Sequence, residues 1–347
     1  MKRRPFLKIA GGLLGSCAFG IHPSFAALKS SDEIVDTVNG IPYRMLGRTG
    51  EKVSIVGFPG LAMVHYEQQE CNESVKRVLD AGINYFDVAP AYGNGDAEIK
   101  LGNALKDIDR STYLLACKTK KRDKEGAREE LERSLERLHT EHFDVYQMHH
   151  LRLEEEVEEA FAPGGAMETL IEAQKEGKVR FLGFSAHTTK SALEAMKRHQ
   201  FDTVMFPINF VEQYAFGFGK EVIDLAQEQG AAVLAIKALS GGYWKPDEEK
   251  TRNWWYKPVE DPELMTLALS YALSKPGVTI GFPPGFVDIT EKAGEAIKNY
   301  HIPTEAELEQ LKTIAAESLS VFEARQKDPA HARAEYDEIF KCPYTVA

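Results

Sequence analysis

Four residues in the first half of the chain carry side chains that could together deliver a proton: Asp87, Tyr92, Lys118 and His149. Three of them end apolar runs that are typical of buried strands, and Tyr92 lies on the turn after Asp87. A phenol has a pKa of about 10, and a nearby ammonium group favours the phenolate and lowers that pKa. We expect Lys118 to act in this way on Tyr92, while Asp87 holds Lys118 and His149 orients a substrate carbonyl. The chemistry that this set favours is protonation of a carbonyl oxygen while hydride arrives from elsewhere.

The alternative is that each of these groups is an ordinary residue at the end of a strand. A lone histidine such as His149, with His150 beside it, is more often structural than catalytic. Three ionisable groups at three successive strand ends favour a site, because a structural role gains little from such a placement.

Strand-like and helix-like segments alternate along most of the chain. Eight apolar runs are bounded by turn residues: 55–58, 83–87, 113–118, 143–149, 178–185, 201–207, 231–237 and 276–281. We expect the strand formed by the sixth run to continue to Asn209. Eight such repeats predict an α/β fold, a closed parallel (β/α)8 TIM barrel, in which the polar strand ends meet at one rim. The preceding segment 41–54 predicts an N-terminal hairpin that turns at Thr49 and Gly50.

Composition excludes several classes of function. The chain has 347 residues and a formal net charge of -11, which argues against nucleic acid as a partner because no basic stripe is available. The four cysteines lie far apart, without a Cys-x-x-Cys pair, so no metal site is predicted. No stretch after the N-terminal segment is long and apolar enough to predict a membrane span.

The N-terminus has the pattern of a targeting segment. Arg3 and Arg4 precede a short apolar stretch that ends in small residues at Ala26, and this pattern resembles a twin-arginine signal. The resemblance implies that the twin-arginine export machinery is a partner and that the protein is exported, to the periplasm or another extracytoplasmic site. The alternatives are a basic disordered tail and a lipid anchor at Cys17.

The chain is therefore divided into four predicted parts: a signal peptide 1–26, a linker 27–40, a barrel 41–316 and a C-terminal helical tail 317–347. A Trp-rich insertion, residues 243–258, follows the seventh strand and is expected to overhang the barrel mouth. Its aromatic side chains either line a substrate pocket or form a small core or partner surface of their own. The tail, with a helical pattern over 332–341, either caps the barrel or mediates association.

An ordered set of motifs resembles the aldo-keto reductases between about residues 41 and 298. The matching segments are 43–50, 84–93 with Glu98 and Gly102, Lys118, 144–149 and 178–185. The resemblance implies a (β/α)8 barrel that reduces an aldehyde or ketone with a nicotinamide cofactor, either NADP(H) or NAD(H). It assigns Asp87, Tyr92, Lys118 and His149 to the catalytic tetrad, with Tyr92 as the general acid.

The resemblance also places the cofactor beside strands five to eight, at Ser185, Asn209, Leu239, Gly241 and Gly281. The chain departs from the family pattern in this region. Ser185 is followed by alanine instead of asparagine, and segment 281–288 lacks the cation that usually meets the 2′-phosphate.

Two further departures affect the expected nicotinamide site. Met205 stands where the family commonly has glutamine, and Ile236 stands where it often has an aromatic residue. These departures leave two hypotheses: an exported reductase of a small-molecule carbonyl compound, and a non-enzymatic binding or regulatory protein built on the same scaffold.

Overall fold

The computed structural model describes residues 33–329. The predicted signal peptide 1–26 and the helical pattern over 332–341 lie outside the described residues, as does Cys17.

Eleven strands are formed within the described part of the chain: β1 Asp36–Val38, β2 Ile41–Met45, β3 Lys52–Ser54, β4 Phe58–Pro59, β5 Tyr85–Asp87, β6 Leu114–Thr119, β7 Phe143–Leu151, β8 Val179–Ala186, β9 Thr203–Pro207, β10 Ala232–Ile236 and β11 Val278–Gly281. Twelve α-helices accompany them: α1 Gln68–Ala81, α2 Asp96–Leu105, α3 Lys124–Arg137, α4 Glu154–Phe161, α5 Ala166–Lys175, α6 Thr189–Arg198, α7 Phe210–Phe216, α8 Lys220–Gln229, α9 Pro262–Leu273, α10 Val287–Ala296, α11 Glu305–Ala316 and α12 Glu323–Lys327.

Strands β4 to β11 form a parallel eight-stranded sheet in which each strand pairs with its neighbour in sequence. The sheet closes because Gly281 at the end of β11 donates to Ile55 O at 2.8 Å and accepts from Gly57 N at 3.3 Å. The side chains of β5, β6, β7 and β9 are buried along their whole length, as expected for strands covered on both faces. The predicted (β/α)8 barrel is therefore confirmed.

The N-terminal hairpin is also present, and β1 extends it to three antiparallel strands. It packs on the end of the barrel where the strands begin. The buried Arg44 fixes this position, because its guanidinium group donates to Leu273 O at 2.7 Å, at the end of α9, and to Val278 O at 2.6 Å, at the start of β11. The opposite end, where the strands finish, is left for a site.

The sixth barrel strand ends earlier than predicted. It finishes at Pro207, and Asn209 is the N-cap of α7, a short helix that the sequence did not reveal. The Asn209 side chain accepts from Glu212 N at 3.0 Å, which satisfies one of the amide groups that a helix start leaves without an intrahelical acceptor.

The first part of the predicted tail packs against the barrel. Val321 and Phe322 are buried, and the Glu212 carboxylate accepts from Val321 N at 2.7 Å and from Ser320 Oγ at 2.6 Å. The chain between α11 and α12 is thus tied to α7. Between residues 33 and 329, none of the helices combines the length and hydrophobicity needed to cross a membrane.

Candidate active site

Asp87 and Lys118 form a buried ion pair at the ends of β5 and β6. The Lys118 ammonium donates to Asp87 Oδ1, and Gln147 Nε2 donates to Asp87 Oδ2 at 3.0 Å. Lys118 and Gln147 are register partners on β6 and β7, so their side chains leave the sheet beside each other. Both oxygens of a buried carboxylate therefore have a donor, which is the condition for keeping such a charge inside a protein.

Tyr92 reaches this pair from a tight turn after β5. The turn is a short 3-10 helix, Tyr92–Gly95, in which Gly93, Asn94 and Gly95 all have positive φ. A Cβ on Gly93 would lie 2.9 Å from Val64 Cγ1, so glycine is required there. The result is that Lys118 Nζ donates to the Tyr92 hydroxyl at 3.4 Å.

His149 completes the group through an irregularity in β7. The pairing of β7 with β8 shifts between Met148 and Leu151, and His150 takes a positive φ within that bulge. Bulges re-aim side chains. The ring of His149 lies 5.7 Å from the ring of Tyr92, centroid to centroid and edge-on. The structure thus brings Asp87, Tyr92, Lys118 and His149 together at one rim, as the sequence predicted.

The charge states of the four groups follow from burial and from each other. Burial lowers the pKa of Lys118, but the Asp87 carboxylate more than offsets this effect, so the pKa is raised and the ammonium form dominates. Burial raises the pKa of Tyr92, although Lys118 pulls it down. Our expectation of a net lowered pKa for Tyr92 is wrong in direction, because removal from water outweighs the ammonium group. Burial, with the charge of Lys118, holds the pKa of His149 well below its ordinary value, so His149 is neutral.

These residues open into a cavity, and all four members of the tetrad line it. The tetrad comes from strands two to four of the barrel and the turn after strand two, and the facing wall comes from the ends of strands six to eight. That wall is mainly apolar, with Met205, Ile236 and Phe282. The predicted overhang by the insertion is observed, since Trp254, Trp255 and Tyr256 line the mouth.

The five residues predicted to hold a cofactor are more dispersed. Ser185 lines the cavity, and its Oγ accepts from His150 N at 2.7 Å. Leu239 and Asn209 are buried and lie outside the cavity lining. The backbone N–H groups of Gly241 and Gly281 are already bonded, to Lys257 O and Ile55 O at 2.8 Å each. These two N–H groups are therefore not available to a pyrophosphate in this conformation.

Sequence reasoning missed several polar residues of the cavity region, among them Gln147 and Lys237. Gln147 lies two positions before His149 on the same strand, and the two-residue period of a strand would have placed it on the same face. Lys237 directly follows the seventh strand and lines the cavity. Its position repeats the pattern of an apolar run that ends in an ionisable group, which is the signal that identified Lys118.

The insertion also supplies a cation that the sequence did not place. Arg252 donates to Asp288 Oδ1 at 3.1 Å and to Glu260 Oε2 at 2.8 Å, and its guanidinium group lies 4.8 Å from the centre of the Phe286 ring. A positive charge thus lies beside the segment after β11, but two carboxylates already neutralise it.

Met205, Ile236 and Phe282 form an apolar surface against which a nicotinamide ring can pack, because methionine and isoleucine pack on aromatic faces. No group of three His, Cys, Asp or Glu side chains within residues 33–329 is arranged to hold a metal ion.

A closed barrel with a buried Lys-Asp pair and a tyrosine at its C-terminal rim defines the class of this protein. The model of the Aldo/keto reductase family matches residues 59–261, which is more than half of the chain. The protein belongs to the aldo/keto reductase family.

Curated relatives match part of their own length. L-galactose dehydrogenase of Arabidopsis thaliana is 34% identical over 161 residues, which cover 42% of this chain and 48% of that protein. NADH-specific methylglyoxal reductase of Escherichia coli K12 is 24% identical over 197 residues, which cover 51% and 58%. The matched part of this chain thus spans less than two thirds of these relatives.

Solved structures support the fold over a larger share of the chain. The holo form of aldo-keto reductase AKR11C1 from Bacillus halodurans has a TM-score of 0.65 at 23% identity and covers 81% of this chain and 98% of that one. The aldo-keto reductase of Klebsiella pneumoniae in complex with NADPH has a TM-score of 0.62 at 20% identity. The match covers 78% of this chain and 93% of that one. At such identities the likeness establishes the fold.

Proposed function

We propose that the protein reduces an aldehyde or ketone, with Tyr92 as the general acid. The observation that carries this proposal is the assembly of the Tyr92 hydroxyl, the buried Lys118 side chain and the His149 ring at one cavity.

Each residue of the tetrad has a role that follows from its contacts. Burial keeps Tyr92 protonated at neutral pH, so its hydroxyl can donate a proton as the carbonyl oxygen becomes an alkoxide. The phenolate that remains is stabilised by Lys118 at 3.4 Å. Asp87 fixes the ammonium group, and His149, being neutral, offers an N–H to the same carbonyl oxygen.

A bound nicotinamide would supply the hydride. The apolar wall of Met205, Ile236 and Phe282 is the surface of this chain that would hold its ring. Relatives whose names include NADPH or NADH support this cofactor class. Ser185 is the one predicted polar contact that lines the cavity, since Asn209 caps α7.

The test has two stages that separate a reductase from a non-enzymatic scaffold. Purified protein is titrated with NADPH and NADH by calorimetry, and cofactor oxidation is then followed with a panel of aldehydes and ketones. We expect saturable binding of at least one cofactor and turnover with at least one carbonyl compound. Absence of binding to both cofactors, or binding without turnover across the panel, would favour the scaffold.

We also propose that the protein is exported by the twin-arginine machinery. The support is the sequence itself, with Arg3 and Arg4 before an apolar stretch and small residues at Ala26. The test is cell fractionation of the full chain and of the variant Arg3→Lys/Arg4→Lys. The native chain is expected outside the cytoplasm and the variant inside it, and equal distribution of the two would contradict the proposal.

A further inference from the structure

Lys237 is a lysine of the cavity that does not belong to the tetrad. It follows β10, on the wall that faces the tetrad, and its side chain lines the cavity. Its Nζ lies 3.3 Å from His187 Nε2 and 5.8 Å from the centre of the Trp255 ring. Lys237 is thus held by a neutral ring nitrogen and an aromatic face.

No carboxylate within residues 33–329 pairs with Lys237. Among the described residues that line the cavity, Asp87 is the one carboxylate, and Lys118 and Gln147 already occupy its two oxygens. A second cation lies nearby, since the Arg325 guanidinium is 5.0 Å from the centre of the same Trp255 ring. The ammonium group of Lys237 therefore has no anionic partner among the described residues, although the chain as a whole is acidic.

The backbone at Lys237 is also unusual. Its φ is +57°, in the left-handed region that residues other than glycine seldom adopt. Such conformations cost energy and are concentrated at functional sites. The strain here directs a long cationic side chain into the cavity.

We propose that Lys237, with His187 and Trp255, forms an oxyanion subsite that binds a carboxylate or phosphate group of the substrate, so that the protein acts on anionic carbonyl compounds. This inference rests on the proposed reductase function. The ammonium group attracts the anion, and Trp255 limits access of water to the pair. Because the subsite and the tetrad share one cavity, a molecule with an anionic group and a carbonyl group can contact both.

The charge of Lys237 makes this binding sensitive to pH. Burial, Arg325 and Lys118 lower the pKa of Lys237 to about 7. The neighbouring histidines do not compete for a proton near neutrality, since burial holds the pKa values of His187 and His150 well below the ordinary value. A carboxylate substrate stays ionised between pH 6 and 8, so its affinity falls as Lys237 loses its proton through about pH 7.

The test compares 4-carboxybenzaldehyde with its methyl ester, which differ in one negative charge. The ratio of their kcat/KM values is measured for the native protein and for Lys237→Met, Lys237→Arg and Lys275→Met. Lys275 is the matched control, because it also lies over an aromatic ring, 3.8 Å from the centre of Tyr271, but does not line the cavity. We expect Lys237→Met to lower the ratio by about tenfold or more, since a charge-assisted hydrogen bond is lost. Lys237→Arg should retain most of the ratio, and Lys275→Met should leave it unchanged.

Two further measurements keep the inference testable if a variant does not fold or if no turnover is found. For the native protein, the same ratio should fall between pH 6 and pH 8, and a ratio that rises over this range would overturn the subsite. Calorimetry with benzoate, without cofactor, should show binding that Lys237→Met weakens. If the variant weakens NADPH or NADH binding and leaves benzoate binding intact, the anion is the cofactor phosphate and the substrate subsite is wrong.

The outcomes separate this inference from the proposed function. Benzoate binding through Lys237 without any turnover would support the subsite and contradict the reductase. Turnover of both aldehydes with a ratio that Lys237→Met does not change would support the reductase and contradict the subsite.

Discussion

Gln147 Nε2 donates to Asp87 Oδ2 at 3.0 Å, from the strand next but one to that of Asp87. This contact occupies the carboxylate oxygen that Lys118 leaves open, and it holds Asp87 in the orientation that fixes the ammonium group. Gln147 is therefore a positioning residue that acts through two others.

Replacing Gln147 should affect both stability and rate. Gln147→Leu leaves a buried carboxylate oxygen without its donor, which costs about 1–3 kcal/mol of unfolding free energy. We expect kcat to fall while KM changes little, because Lys118 is less well fixed. Urea unfolding and steady-state kinetics measure the two effects, with Gln69→Leu on the exposed face of α1 as the control. A loss of stability without any change in kcat would show a structural role only.

Tyr92→Phe removes the proposed acid and keeps the ring. The expected loss in kcat is about 10²–10⁴-fold, the range for removal of general acid catalysis. Tyr214→Phe is the control, because that hydroxyl donates to Leu308 O at 3.3 Å, outside the cavity lining. Turnover of Tyr92→Phe at the native rate would remove Tyr92 from the mechanism.

The ion pair of Asp87 and Lys118 should behave as one unit. Lys118→Met leaves a buried carboxylate without its cation, and removing one partner of such a pair costs about 3–5 kcal/mol of unfolding free energy. The double variant Asp87→Asn/Lys118→Met should lose less than the sum of the two single losses and should remain inactive. Unfolding free energies of all four proteins give the coupling, and additive losses would contradict it.

Acid should destabilise the protein through its buried histidines. Burial holds the pKa values of His149, His150 and His187 well below 6.5, so the unfolded chain binds protons that the folded chain does not. Stability is therefore lost as the pH falls below about 6.5, by about 1.4 kcal/mol per pH unit for each histidine. Urea unfolding between pH 7 and pH 5 measures this slope, and His187→Gln should remove the contribution of one of the three histidines from it.

The exposed His301 provides a control of opposite sign. Hydrogen bonds to Asn299 O and to the Glu307 carboxylate raise its pKa. Its stabilising contribution is present below the unfolded pKa and is lost as the pH rises through the raised pKa. His301→Gln should therefore cost a constant free energy of unfolding below about pH 6.5 and a smaller one as the pH rises above it, and a cost that grows with rising pH would contradict the assignment.

The protein should show little preference for NADPH over NADH. Arg252 lies beside the segment after β11, where the family usually provides a cation, but Asp288 and Glu260 neutralise it. We expect NADH to bind at least as tightly as NADPH and Asp288→Asn to shift the ratio towards NADPH. Calorimetric dissociation constants for both cofactors measure this, and a strong NADPH preference in the native protein would contradict it.

The sequence by itself determined the barrel and the placement of Asp87, Tyr92, Lys118 and His149 at one rim. Eight apolar runs between turn residues predict parallel strands, and the ends of parallel strands must meet at one rim. Asp87, Lys118 and His149 could be placed there because each ends such a run, and Tyr92 because its turn follows directly. Such patterns can be recognised from sequence alone, because each one depends on residues that are close together in the chain.

Only the tertiary structure decided the surroundings of these groups. The hydrogen bond from Gln147 to Asp87 and the ion pair of Arg252 with Asp288 join residues that are far apart in sequence. The raised pKa of Tyr92 depends on burial, which is a property of the assembled cavity. The cap at Asn209 and the bonded N–H groups of Gly241 and Gly281 likewise depend on the path of the chain in space. Contact, burial and charge compensation arise from packing between distant parts of the chain, so no single segment of the sequence predicts them.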